Sequence, residues 1–177
     1  MKPRIRVVSI VALLALTAAC DRVTPVDRTG SPNDGMPASE NLTAARVTRV
    51  VDGDTIHVDL DGVDTSIRLI GIDTPEMDGP YTHEECFGPE ASTYTQNALD
   101  DREVFLEFDV ERTDRYDRTL AYVWLDGELF DERILADGFA LVATFPPNVR
   151  YVDRFLAAQR RGRDADLGLW GSCPAGS

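Results

Sequence analysis

From residue 43 onward, apolar and polar positions alternate in short runs divided by turn residues. Residues 43–51 and 55–60 read as strands, the second with Ile56, Val58 and Leu60 on one face. An Asp-Gly pair, Asp61-Gly62, marks a hairpin turn into residues 65–70. In that strand Arg68 faces opposite to its apolar neighbours Ile67 and Leu69. Gly88-Pro89-Glu90 opens a helix running to about Asp100, because proline is tolerated in a first helical turn. Residues 104–108 and 120–125 alternate as strands, and a second Asp-Gly turn follows at Asp126-Gly127. Residues 130–137 predict a short helix stopped by Gly138. An extended piece, 140–144, precedes Pro146-Pro147. Residues 149–163 form the last helix, with Val152, Phe155, Leu156 and Gln159 along one side. Five short strands and three helices fit an α+β domain built on a small Greek-key barrel.

The N-terminal 40 residues do not share this pattern. Lys2, Arg4 and Arg6 precede an apolar run at 7–16, too short to span a bilayer but right for the core of an export signal. The run ends in L-T-A-A-C, which is similar to a bacterial lipobox and would make Cys20 the acylated first residue of the mature chain. Thr17 stands where leucine is usual, and ordinary cleavage after small residues is the alternative. Residues 1–19 are therefore expected to be a signal peptide, with the lipoprotein type as the preferred form. Residues 20–40, with three prolines and two glycines, form a flexible tether, and 41–177 the folded domain. Lipid on Cys20 would hold the protein at a membrane face without a transmembrane helix; otherwise the exported protein is secreted. With Cys20 acylated, Cys86 and Cys173 remain to pair in an oxidising compartment, two free thiols being the alternative. Closing that loop contributes at most about 4–5 kcal/mol.

Charge complicates any polyanion-binding role. The formal net charge is −13, and setting aside the leader's three cations leaves −16 from Cys20 onward. Lys2 is the only lysine beside seventeen arginines, and 21 aspartates outnumber 10 glutamates, which fits GC-rich coding or a salty habitat. Phosphate binding normally draws on a basic surface. An acidic chain needs a local positive site and bound cations instead.

One stretch supplies such a site. V-V-D-G-D-T-I-H-V-D-L-D-G-V-D-T-S-I-R-L-I-G-I-D-T-P-E sets Asp52, Asp54, Asp73 and Glu76 around Arg68 within 25 residues. Massed carboxylates repel one another unless a cation or a reaction uses them. Hard oxygen ligands suit Ca²⁺ or Mg²⁺, and an arginine among them suits a phosphate. Taken alone, Asp52-Gly53-Asp54 also reads as a plain turn, Arg68 as a surface ion pair and Glu76 as a capping carboxylate. The spacing is not that of an EF-hand.

V-D-G-D-T, I-R-L-I-G-I-D-T-P-E, E-C-F-G-P-E-A, R-T-D-R-Y-D-R-T-L-A-Y-V and the closing L-G-L-W occur in order between Ala44 and Trp170. Together they resemble the staphylococcal nuclease (thermonuclease) family. The resemblance implies an OB-fold: a five-stranded Greek-key β-barrel with three helices. It implies a calcium-dependent endonuclease hydrolysing phosphodiester bonds of DNA and RNA to leave 3′-phosphate ends. Carried over, Asp54, Asp73 and the Thr74 carbonyl would hold Ca²⁺ with Asp52 nearby. Arg68 and Arg118 would stabilise charge on the phosphate, and Glu76 would serve the attacking water. Arg115 and Tyr116 would contact substrate. A solvated charge cluster remains the alternative for Arg118, and a core or surface tyrosine for Tyr116.

Some positions depart from the family pattern. Asp117 replaces a glycine before Arg118. A-L-V-A-T-F-P-P-N is one residue short, leaving Phe145, itself a possible core residue, in place of stacking tyrosines. His57, expected to face solvent, and His83 match no functional position. The chain is expected to act as a monomer with DNA and RNA as substrates and no obligate protein partner. The rival function is a catalytically inactive OB-fold module binding nucleic acid or protein at the cell surface; a calcium-binding surface protein is a weaker third.

Overall fold

The computed structural model describes residues 36–79 and 83–174. The expected leader, Cys20 and most of the tether lie outside the described residues. Compact structure begins before Asn41: Met36 packs on the core, and Ser39–Asn41 form one 3₁₀ turn.

Strands β1 (Leu42–Val50), β2 (Thr55–Leu60) and β3 (Val63–Leu69) form an antiparallel meander. The turn between β2 and β3 needs left-handed backbone at both centres. Asp61 has φ 54° and Gly62 φ 84°, which aspartate tolerates and glycine adopts freely. A ribbon strand, β4 (Ile72–Asp73), and helix α1 (Gly88–Leu99) follow. Then come β5 (Glu103–Glu107) and β6 (Thr119–Leu125). Strand β5 pairs with β1 and β6, and β6 closes the barrel by pairing in parallel with β3, Arg68 opposite Leu120. Five strands thus close a mixed barrel of the OB type, with helices packed outside it. This is the α+β architecture expected.

Alternation fills the barrel. Val47, Ile56, Val58, Ile67, Leu69, Leu106 and Val123 are at most 1% exposed. Short strand β7 (Glu128–Leu129) leads into α2 (Phe130–Ala136); β8 (Leu141–Val142) pairs with β4, and α3 (Val152–Asp164) packs on α2. At the end of β3 the chain turns through Gly71, φ 81°, where a Cβ would stand 2.6 Å from the Phe155 ring. That turn swings Asp73 and Thr74 onto the β4–β8 ribbon.

Helix α3 differs from the expected face. It buries Phe155, Ala158 and Gly162, while Leu156 is exposed. Close contact with α2 decides this: a Cβ on Gly162 would lie 2.8 Å from the Ala136 carbonyl, so the small residues turn inward. Gln159 instead accepts the Val142 N–H at 2.7 Å. A fourth helix, α4 (Leu169–Ser172), is one turn long and has no periodicity to announce it. Beyond it, Cys173 is joined to Cys86 by a disulfide.

Candidate active site

Barrel closure brings the two arginines to one wall. Arg68 lies in β3 beside Leu120 of β6, and Arg118 immediately precedes β6. Thr55 links them, its hydroxyl donating to Asp54 Oδ1 at 3.2 Å and accepting from Arg118 Nη1 at 3.5 Å. Between them opens a cleft of about 410 Å³. Leu69, Ile70 and Leu120 give it apolar walls, and Asp73, Tyr116 and Phe145 also line it.

Arg68 ties the acidic residues together. Its Nε lies 3.1 Å from Asp54 Oδ1, and Nη2 donates to Asp73 Oδ1 at 2.8 Å. Nη1 donates to the Leu69 and Ile72 carbonyls, both at 2.9 Å. This buried fork is far from a solvated surface pair; the Arg68 side chain is 13% exposed and Asp54 8%. Asp54 Oδ2 accepts the Thr74 N–H at 2.9 Å and its hydroxyl at 3.1 Å, pinning the D-T-P-E turn to β2. Asp73 stays largely open to solvent.

Asp52 serves the turn: its Oδ1 accepts from the Asp54 and Thr55 N–H groups at 3.1 and 2.7 Å. Gly53 is tight against Thr74, a Cβ there meeting that side chain at 2.6 Å, and its carbonyl accepts from the Thr95 hydroxyl at 2.7 Å. The bland reading of Asp52-Gly53-Asp54 as a turn therefore describes Asp52 well, while Asp54 points into the site.

The carboxylates crowd one another. Burial, then the neighbouring Asp54, pushes Asp52 up from the ordinary carboxylate range. Asp73, though open to solvent on one side, is raised by partial desolvation and then by Asp54, against the pull of Arg68. Glu76, though exposed, is raised by partial desolvation and then by Asp52, Asp54, Asp73 and Glu85. Two arginines do not offset this charge, and a divalent cation would. Among the described residues no group of three or more His, Cys, Asp or Glu converges to hold a metal unaided. A site here would draw on two carboxylates with carbonyl and water oxygens, a hard and open set that fits weakly held Ca²⁺.

Arg118 is held by a residue that the sequence reading passed over. Asp114 Oδ2 accepts from Arg118 Nε at 2.7 Å, and Oδ1 accepts the Tyr116 and Arg118 N–H groups at 2.8 and 3.0 Å. Burial opposes its charge, yet these hydrogen bonds hold Asp114 below the usual carboxylate value. The signal available was an acid four residues before the arginine. Asp117, in the turn that Asp114 organises, has φ 60°, which explains why glycine is the family's choice and aspartate is accepted there. Tyr116 is 64% exposed, with the Arg115 and Arg118 guanidiniums 4.7 and 5.5 Å from its ring centre. Phe145 is 74% exposed at the cleft edge and is not a core residue. His57 is only partly exposed and pairs with Asp64 at 3.0 Å; His83 lies on the surface.

A closed OB-type barrel whose mouth carries an arginine–carboxylate knot defines an α+β protein with a cleft for an anion beside hard oxygen donors. The family model described as Staphylococcal nuclease homologue matches residues 66–172. The chain is 41% identical over 133 residues to the thermonuclease of Staphylococcus hyicus, covering 75% of this chain and 79% of that one. It is 44% identical over 124 residues to the thermonuclease of Staphylococcus intermedius, covering 70% and 74%. It is 35% identical over 141 residues to Endonuclease YncB of Bacillus subtilis (strain 168), covering 77% and 67%. The chain belongs to the staphylococcal nuclease family.

Proposed function

We propose that the protein is a calcium-dependent endonuclease that hydrolyses phosphodiester bonds of DNA and RNA and leaves 3′-phosphate ends. The observation that carries this is the knot of Arg68 with Asp54 and Asp73, at a cleft that Arg118 also lines. Relatives named thermonuclease and endonuclease support the same reading.

Asp54, Asp73 and the Thr74 carbonyl would hold the ion, which when bound supplies positive charge beside the phosphate. Attack of water on phosphorus builds negative charge on the non-bridging oxygens, and the two guanidiniums are fixed in advance to meet it. Arg68 is oriented by two carbonyls and two carboxylates, and Arg118 by Asp114, so little reorganisation is needed as charge develops. Arginine suits this better than lysine because its planar fork addresses two oxygens and stays charged. Glu76 takes or orients a proton of the attacking water. Tyr116 and Arg115 grip a flanking phosphate. The apolar walls and Phe145 receive a base.

The chain is proposed to work outside the cytoplasm, released or held at a membrane by lipid on Cys20. Digestion of labelled DNA and RNA oligonucleotides, with mass analysis of the ends, tests the reaction. Products ending in 3′-phosphate are expected; intact oligonucleotides would leave the binding-module reading, and 3′-hydroxyl ends would reject the direction of cleavage.

A further inference from the structure

Cys86 and Cys173 take no part in the chemistry, yet their bond joins two differently anchored pieces of chain. The C-terminal piece is fixed to the core. Leu169 N–H donates to the Gly138 carbonyl at 2.8 Å. Gly138 and Gly168 approach backbone to backbone: a Cβ on Gly138 would meet the Leu167 carbonyl, and one on Gly168 the Gly138 carbonyl, each at 2.2 Å. Cys173 then closes α4 with its N–H on the Leu169 carbonyl at 2.9 Å.

The other piece carries Glu76. Glu85 holds both polar groups of the Glu76 backbone, donating its N–H to the carbonyl at 2.9 Å and accepting the N–H on Oε2 at 3.1 Å. Gly88 N–H donates to the Glu85 carbonyl at 3.0 Å, and a Cβ on Gly88 would stand 2.3 Å from the Glu76 carbonyl. The D-T-P-E turn therefore rests on residues 85–88 as on a platform. Glu76 and Glu85 are exposed, so water competes for the two hydrogen bonds between them, while Gly88 is buried. A covalent bond at the adjacent Cys86 does not yield to water. It ties the platform to α4 and so to the core.

We propose that the Cys86–Cys173 bond, acting through Glu85, positions Glu76, so that the cleaving form of the protein is the oxidised one. The assignment rests on the nuclease reading, with Glu76 at the attacking water. Reduction adds two electrons and two protons from a dithiol reductant and leaves two thiols. Phe87 stays packed on Phe139 and Gly88 stays in α1, but Glu85 and Cys86 then keep only hydrogen bonds, and Glu76 loses its fixed place while Arg68, Arg118 and the cleft keep theirs. Glu85 is a positioning residue in this scheme, not a catalytic one.

The test compares the full chain oxidised and after dithiothreitol, with near-UV dichroism confirming the fold. Turnover on single-stranded DNA with calcium and amide exchange are read on the same samples. Reduction is expected to lower kcat at least about tenfold with KM within about twofold, as expected for a misplaced group that does not bind substrate. Exchange protection at Glu76, Glu85 and Gly88 should fall while Val47 and Val123 stay protected. Glu85→Ala, which keeps the disulfide, should reproduce the kcat loss, and Glu85→Gln, which keeps an acceptor, should recover much of it. An unchanged kcat on reduction, a loss confined to KM, or undiminished protection at Glu76 would overturn the proposal. If the oxidised chain cleaves nothing, the nuclease reading fails, and exchange alone decides the clamp: lost protection at Glu76 supports it and retained protection rejects it.

Discussion

Asp131 offers a test of how the barrel closes. Past Ala121, β3 has turned away and the Val123 N–H has no strand partner on that side; Asp131 Oδ2 accepts it at 2.8 Å. Asp131 is fully buried, and its Oδ1 has no hydrogen-bond partner. Burial accordingly pushes its carboxyl up to about 8, outweighing the backbone hydrogen bonds and Arg68. A carboxyl raised on folding holds its proton more tightly in the native state. Its contribution to stability is complete below the unfolded value near 4 and is lost as pH climbs towards 8. Each pH unit in that window costs about 1.4 kcal/mol, so between pH 5 and pH 7 the loss reaches at most about 3 kcal/mol. Asp131→Asn keeps an oxygen for Val123 and cannot ionise. The variant should match the parent near pH 4 and exceed it progressively towards pH 8, levelling off above. Urea unfolding at a series of pH values measures this, with m unchanged and the midpoint of the variant higher by about 1–2 M at pH 7. Parallel stability curves for the two proteins, or a variant less stable at pH 8, would refute a neutral buried carboxyl.

Other consequences follow from the site. Arg68→Lys keeps the charge but loses the fork to two carbonyls and two carboxylates; turnover should fall by about 10²-fold or more with the fold intact, and a change below about tenfold would reject its role. Asp114→Asn removes the charge that aligns Arg118 while keeping the turn's acceptor, so kcat should drop about tenfold with unchanged circular dichroism. Gly71→Ala places a methyl at φ 81° against the Phe155 ring and should cost roughly 1–3 kcal/mol in thermal or urea unfolding. The strongly acidic chain should repel a polyanion when the Debye length is about 30 Å, at 0.01 M salt, and less at about 8 Å, at 0.15 M. Cleavage at fixed calcium should therefore rise with the first additions of NaCl and fall only later; a steady decline from the lowest salt would show the arginine cleft dominating.

Much of this molecule was readable in its residues because local signals agreed with the final packing. Ile56, Val58, Ile67 and Leu69 alternate as barrel strands must, and both Asp-Gly pairs form left-handed turns, with Asp126 at φ 52° and Gly127 at φ 86°. What escaped depends on contacts distant in sequence. Leu156 looked like part of the buried face of α3, but the close approach of Gly162 to α2 rotates the helix so that Ala158 takes the inner place. Within the site, Arg68, Asp54 and Asp73 sit near one another in sequence, so their grouping could be expected. That Arg68 is locked on carbonyls as well as carboxylates depends on the Gly71 turn. Asp114 and Thr55 act by orienting other groups; the acid four residues before Arg118 was a signal for Asp114 alone, and one that solvated surface pairs share.

Calcium dependence of cleavage tests the central claim most directly. The full chain is incubated with plasmid DNA and with RNA, in millimolar calcium and in excess chelator, alongside Arg68→Lys prepared identically. The account predicts degradation of both substrates with calcium, arrest by chelator, and restoration on adding calcium back, with the variant nearly silent throughout. Undiminished cleavage in chelator, or none by the parent protein in calcium, would contradict it.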